Sequence, residues 1–223
     1  MTKAIFYKEW IKTRLVFIGL LLVSCGMTIY TLAKIGRVVS FKGADHLWAI
    51  MLTRDVTFVE QIAYLPMLCG IIIAISQFVP ELTQKRLKLT LHLPYSQNKM
   101  IFYMLISGLL ELAVIFATQI TMISFYSLDI VSIEILSRML LTAAPWFIAG
   151  LAAYLFTAAI CLEPTWKMRI INIMIMCGTL RISFLSDVPE SYNSMIIPLA
   201  IVIILSISLS YRSVIRFKEG CQD

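Results

Sequence analysis

Glu111 is the residue whose setting most demands a chemical explanation. It is the only charge between Met100 and Leu128 and stands near the middle of that run. An ionised carboxylate surrounded by hydrocarbon is costly, so Glu111 must face other helices, pair with a partner, or hold a proton. On a helix, residues three, four, seven and eight positions away share its face. Here they include Ser107, Gly108, Thr118 and Gln119, a polar stripe on an apolar rod. Such a stripe lines a translocation path, faces a subunit seam, or hydrogen-bonds helices together. Arg181, about five residues from the end of another apolar run, can snorkel to an interface, or pair with Glu111 if the two helices adjoin.

Other chemistry is sparse. The two histidines, His46 and His92, fall in different connecting segments, on opposite sides of the topology derived below, so they form no shared metal site or acid–base pair. The zinc-protease pair His-Glu-x-x-His and the nucleophile elbow Gly-x-Ser-x-Gly do not occur, nor does the phosphate loop Gly-x-x-x-x-Gly-Lys-[Ser/Thr]. Cys25, Cys69, Cys161, Cys177 and Cys221 lack metal-ligand spacing and are expected as free thiols. No catalytic residue, metal or enzymatic activity is expected of the chain.

A second constellation lies in "PELTQKRLKLTLHLPYS", Pro80 to Ser96. Pro80 suits the first turn of a helix and Glu81 its positive end, while Pro94 stops the segment. Leu82 and Leu89 share one helical face, and Leu87 and Leu91 another. The stretch "LKLTLHL" instead alternates, at the period of a strand. Lys85, Arg86 and Lys88 interleave with these leucines. The segment is either a basic anchor whose leucines dip into a membrane, or a docking helix that buries them in a groove on a partner.

The elements that position these residues follow from composition. Of 223 residues 60% are hydrophobic and only 14% charged, and mean hydropathy is +0.87. So few charges cannot cover a soluble domain of this size. Apolar runs occupy about 15–33, 61–80, 100–125, 139–162, 170–186 and 191–211; each nears or exceeds the roughly 20 residues needed to cross a bilayer as helix. The expectation is an all-α integral membrane protein with six transmembrane helices in a single domain over 1–223. With the N-terminus inside, 13 Lys and Arg fall on inner segments and 6 on outer ones, which sets the orientation and puts both termini in the cytoplasm. The excess is spread over four short segments, which argues against a nucleic-acid footprint.

Further features qualify this plan. In the first fourteen residues Ala4, Phe6, Tyr7, Trp10 and Ile11 share one helical side and Lys8, Glu9 and Lys12 the other. This fits either an amphipathic helix lying on the inner surface, with Trp10 at headgroup level, or an ordinary charged flank to the first span. The apolar patch Leu47 to Leu52 in the long outer segment is too short to span. Pro66, Pro145 and Pro198 sit in the outer parts of three runs; they would kink helices near an outer gate unless they are simply tolerated there. Ala149, Ala153 and Thr157 form a ridge of small residues for close helix packing, within one chain or between two.

Together, "FYKEWIKTR" before the first run, six runs, and Glu81, Leu87, Leu89, Leu91, Leu93, Pro94, Ser96 and Lys99 between runs two and three resemble the permease subunits of ABC-2-type transporters. The match departs at Arg86-Leu87, where many members carry Gly-Thr. The resemblance implies that the N-terminal segment with Phe6, Tyr7 and Trp10 is an interfacial helix. It also implies that Glu81, Leu82, Lys85, Arg86, Leu87, Leu89, Leu91, Leu93 and Pro94 form a coupling helix on a separate cytoplasmic ATPase. ATP and magnesium would then belong to that partner, and this chain would need no cofactor. A second permease chain, the same or different, would complete the path, with export across the plasma membrane as the expected direction. Without the resemblance, a small proton-coupled carrier using Glu111 and a membrane scaffold with no cargo remain open.

Overall fold

A computed structural model describes residues 2–43, 58–83, 97–128, 130, 132–186 and 188–218. Among them the chain is helical, with no strand: α1 (Thr2–Lys42), α2 (Leu65–Thr83), α3 (Gln97–Leu128), α4 (Ile133–Leu162), α5 (Trp166–Ile182) and α6 (Ile196–Lys218). Single 3-10 turns, Glu60–Ile62 and Asn193–Met195, lead into α2 and α6. Five of these helical segments, all but α5, are long and apolar enough to cross a bilayer, as in a multi-pass membrane protein. The exception is α5, with 17 residues, about 25 Å at 1.5 Å per residue.

The boundaries differ from expectation in three places, each for a local reason. α1 runs unbroken for 41 residues, so the N-terminal stretch and the first apolar run are one rod. Nothing in the sequence before Gly43 breaks a helix; Gly43 ends it with φ +83° and an N–H···O bond to Val39 at 2.9 Å. Pro80 does not open a new helix but lies inside α2, which continues through Glu81 to Thr83. Having no N–H, it gives the Ser76 carbonyl no helical donor. α5 starts at Trp166 and stops at Ile182, whereas a run over 170–186 was expected. There the Tyr192 hydroxyl accepts the N–H groups of Leu185 and Ser186, both at 2.9 Å, and donates to Ile182 O at 2.8 Å, satisfying the helix end from outside. Two of the three outer prolines, Pro66 and Pro198, fall in the first turns of α2 and α6, where no helical bond is lost; only Pro145 lies within a helix body.

α4 is the central rod. Ala149, Ala153 and Thr157 are all buried, and they pack inside this chain against α2, α5 and α6 around Met67, Met176 and Val202. The closest approach is glycine on glycine. A side chain on Gly70 would collide with the Gly150 carbonyl, and one on Gly150 would come within 2.7 Å of Pro66 O. Where lipid rather than water surrounds a bundle, such backbone proximity and dispersion hold helices together. Cys69 is buried and Cys177 exposed, and both, like Cys25 and Cys161, are free thiols.

α1 is amphipathic in the inverted sense. Glu9, Thr13, Ser24, Thr28 and Thr31 face the bundle, whereas Leu15, Ile18, Leu22, Val23 and Ile29 face outward. The hydroxyls of Ser24, Thr28 and Thr31 return their hydrogens to their own helix, as Thr28 does to Ser24 O at 2.8 Å and Thr31 to Met27 O at 2.9 Å. An outward apolar face on a rod this long fits hydrocarbon as its solvent.

Candidate functional site

The start of α1, the end of α2, the first half of α3 and the second half of α4 meet toward one end of the bundle, here called proximal. Glu9, Lys12 and Thr13 recur every three or four residues on α1, so all point into it. Gln77 and Glu81 do the same one turn apart on α2, and Ser107 and Glu111 on α3. α4 contributes Tyr154, fully buried.

Lys12 is the hub. Its ammonium lies 2.7 Å from Glu9 Oε2, 2.8 Å from Glu81 Oε1 and 3.4 Å from Gln77 O. Lys8 reaches the same Glu81 oxygen at 2.8 Å. The Gln77 amide nitrogen shares its two hydrogens among Glu9 Oε2 (3.0 Å), Met104 O (2.7 Å) and Ser107 Oγ (3.2 Å). Tyr154 donates to Gln77 Oε1 at 2.7 Å and sits 3.2 Å from Leu105 O. Its hydroxyl fits only because position 108 is glycine, where any side chain would overlap the phenol. Thr13 donates to Glu111 Oε1. Four helices are thus tied by one hydrogen-bonded network in which every described member but Lys8 is nearly or wholly buried.

In a low-dielectric interior such a network holds only if its groups are paired, and most are. Three carboxylate oxygens, Glu9 Oε1, Glu81 Oε2 and Glu111 Oε2, have no bonding partner among the described residues. Lys8 and Lys12 face three carboxylates, so one negative charge is uncompensated unless a proton is held. The described residues hold no cluster of histidine, cysteine or carboxylates arranged for a metal. The geometry joins helices through buried ion pairs and hydrogen bonds.

The polar stripe on α3 is divided. Ser107 and Glu111 enter the network. Thr118, two turns on, returns its hydroxyl to Ile115 O at 2.7 Å. Gln119 is fully buried, and neither its amide oxygen nor its nitrogen has a partner among the described residues. Glu111 pairs with Thr13, not with Arg181, which is exposed near the far end of α5. Of the residues assigned to a docking helix, Glu81 is buried in the network and Leu82 packs on the core beside it. Lys85, Arg86, Leu87, Leu89, Leu91, Leu93 and Pro94 lie outside the described residues, as do both histidines and the Leu47 to Leu52 patch.

At the N-terminus, Tyr7, Trp10 and Ile11 are exposed along the outer face of α1, and Phe6 packs on Tyr103 with ring centroids 6.1 Å apart. The polar side expected to meet water, Glu9 and Lys12, is turned into the bundle.

Sequence reasoning missed Gln77 and Tyr154. Gln77 carried a usable signal, being an amide in the interior of an apolar run at helical spacing from Glu81. Tyr154 carried none, because an aromatic in an apolar run reads as packing. A second proximal cluster was also missed. Glu163, followed by the helix-stopping Pro164, is buried and accepts from Thr165 at 3.0 Å and Ser213 at 2.9 Å, with Arg216 at 3.4 Å. Arg169 donates to its backbone carbonyl at 2.7 Å, so this cluster pins the ends of α4 and α6 to the start of α5. No family model, curated protein or solved structure matches the chain.

Proposed function

We propose that the chain is the membrane-spanning permease subunit of an ABC-2-like transporter, moving cargo across the plasma membrane with energy from ATP hydrolysed on a separate cytoplasmic ATPase. In this reading α5 provides the sixth crossing, both termini are cytoplasmic, and the first turns of α1 lie at the cytoplasmic interface with Tyr7 and Trp10 toward lipid. The leucine-bearing segment after Thr83 docks on the ATPase, which binds ATP and magnesium. A second permease chain completes the path, and export is the direction.

The observation that supports this reading most is the clamp on Glu81. Glu81 is among the last residues of α2 before the basic, leucine-rich segment, and Lys8 and Lys12 of α1 hold one of its oxygens, both at 2.8 Å. A force applied to that segment would therefore pull on α1 as well as α2, and through Gln77 and Tyr154 on α4. Mechanical coupling needs such a connection between docking element and bundle. The test is co-purification with a P-loop ATPase encoded in an adjacent reading frame. The double change Leu89→Asp, Leu91→Asp is expected to abolish association while membrane insertion persists; retained association overturns the docking role.

A second reading, a proton-coupled carrier, draws on Glu111, buried with one oxygen unpartnered. Glu111→Gln separates the two. It would abolish transport in a proton-driven carrier and only reduce it in an ATP-driven one.

A further inference from the structure

At the distal end of the bundle, opposite the ionic network, the 3-10 turn before α2, the first half of α4 and the turns after α5 enclose a cavity of about 300 Å³. Its wall combines two carboxylate residues with aromatic rings. Glu60 and Glu190 supply the acids, and Tyr64, Trp146 and Phe184 the rings, with Tyr64 and Phe184 stacked at 4.8 Å between centroids. Among the described residues Glu190 is one of two non-glycine residues with positive φ, at +59°, a conformation that needs support from its surroundings. Its N–H is 3.4 Å from the Thr142 hydroxyl.

We propose that this cavity binds a small organic cation, of the substituted-ammonium class. Charge favours that class. Arg138 meets Glu190 only at 4.0 Å, and no ion pair or hydrogen bond engages the Glu60 side chain among the described residues. An anion would meet two carboxylates, and of these only Glu190 has an ion-pair partner among the described residues. Ring chemistry narrows the choice further. A bare metal ion needs several oxygens close around it, whereas a substituted ammonium spreads its charge over carbon groups that aromatic faces attract. The volume matches a ligand of few heavy atoms. Tyr192 also lines the cavity, but its hydroxyl is already committed to the backbone at the end of α5, so it shapes the wall without offering a free polar group. The site is independent of the docking segment and of the transport reading.

The test uses the full-length chain in detergent with Trp146 as the sole tryptophan, the other three (Trp10, Trp48 and Trp166) changed to Phe. Choline and its neutral isostere 3,3-dimethyl-1-butanol are titrated at constant ionic strength. Choline is expected to change Trp146 fluorescence saturably, and the neutral alcohol to bind at least about tenfold more weakly. Glu60→Gln, at an exposed position, should weaken choline by about tenfold without shifting the melting temperature, and Glu60→Asp should recover most of it. Calorimetry on the unsubstituted chain repeats the comparison should the tryptophan replacements fail to fold. Equal binding of the two probes, choline binding indifferent to Glu60→Gln, or no saturable binding would each overturn the proposal.

Discussion

Two seams of this bundle work by opposite means. Between α2 and α4 the helices touch backbone to backbone through Gly70 and Gly150. Between α1 and α2 they meet through Lys8, Lys12, Glu9 and Glu81. The glycine seam is steric and short-range, and it tolerates neither added volume nor relative displacement. The ionic seam is set by charge, and an ammonium with three donors can exchange one carboxylate oxygen for another as the helices shift. The difference is that sterics set the spacing of α2 and α4, whereas charge sets the meeting of α1 and α2 at this end.

The largest expected effect comes from leaving charge unpaired in the ionic seam. Lys12→Met strands Glu9, and leaves Glu81 to Lys8 alone, which should cost about 3–5 kcal/mol, seen as a lower unfolding midpoint in detergent. The paired change Lys12→Met, Glu81→Leu should cost clearly less than the sum of its single changes, because the Lys12–Glu81 pair, lost in each single change, is lost only once in the double; an additive result would break the contrast between the seams. Gly70→Leu should cost about 1–3 kcal/mol or more by overpacking, and no second substitution of a charge should relieve it. Tyr154→Phe removes one donor from Gln77 Oε1 and should cost about 1–3 kcal/mol. At the bottom of the scale, Thr28→Val on α1 should change the midpoint by less than about 0.5 kcal/mol, since that hydroxyl bonds only its own helix.

The membrane character and most helix positions were legible in the sequence because hydrocarbon imposes a length and a composition on each span. The ridge of Ala149, Ala153 and Thr157 was equally readable as a packing surface, since small residues at a four-residue spacing have few other uses. Its partner was not, because close approach can be satisfied within one chain or between two. Pro80 misled for a physical reason: proline is favoured in a first turn, yet a helix continues through it when neighbouring residues fix the backbone, here with Glu81 held by two lysines. Lys8, Glu9 and Lys12 misled in another way. Charges near a terminus ordinarily seek water, and only the presence of Glu81 and Gln77 across the seam makes their burial favourable.

By itself the sequence determined that this chain is built of long apolar helices and that Glu111 needs company, because both follow from the cost of exposing polar groups to lipid. Only the tertiary structure decided which company it keeps. Thr13 rather than Arg181 reaches Glu111, Gln77 joins Glu9 to Tyr154, and Glu60 and Glu190 meet around a cavity although 130 positions separate them. Pairings between distant segments depend on how rods are rotated and stacked, and the helical period of each rod carries no record of its neighbour's angle.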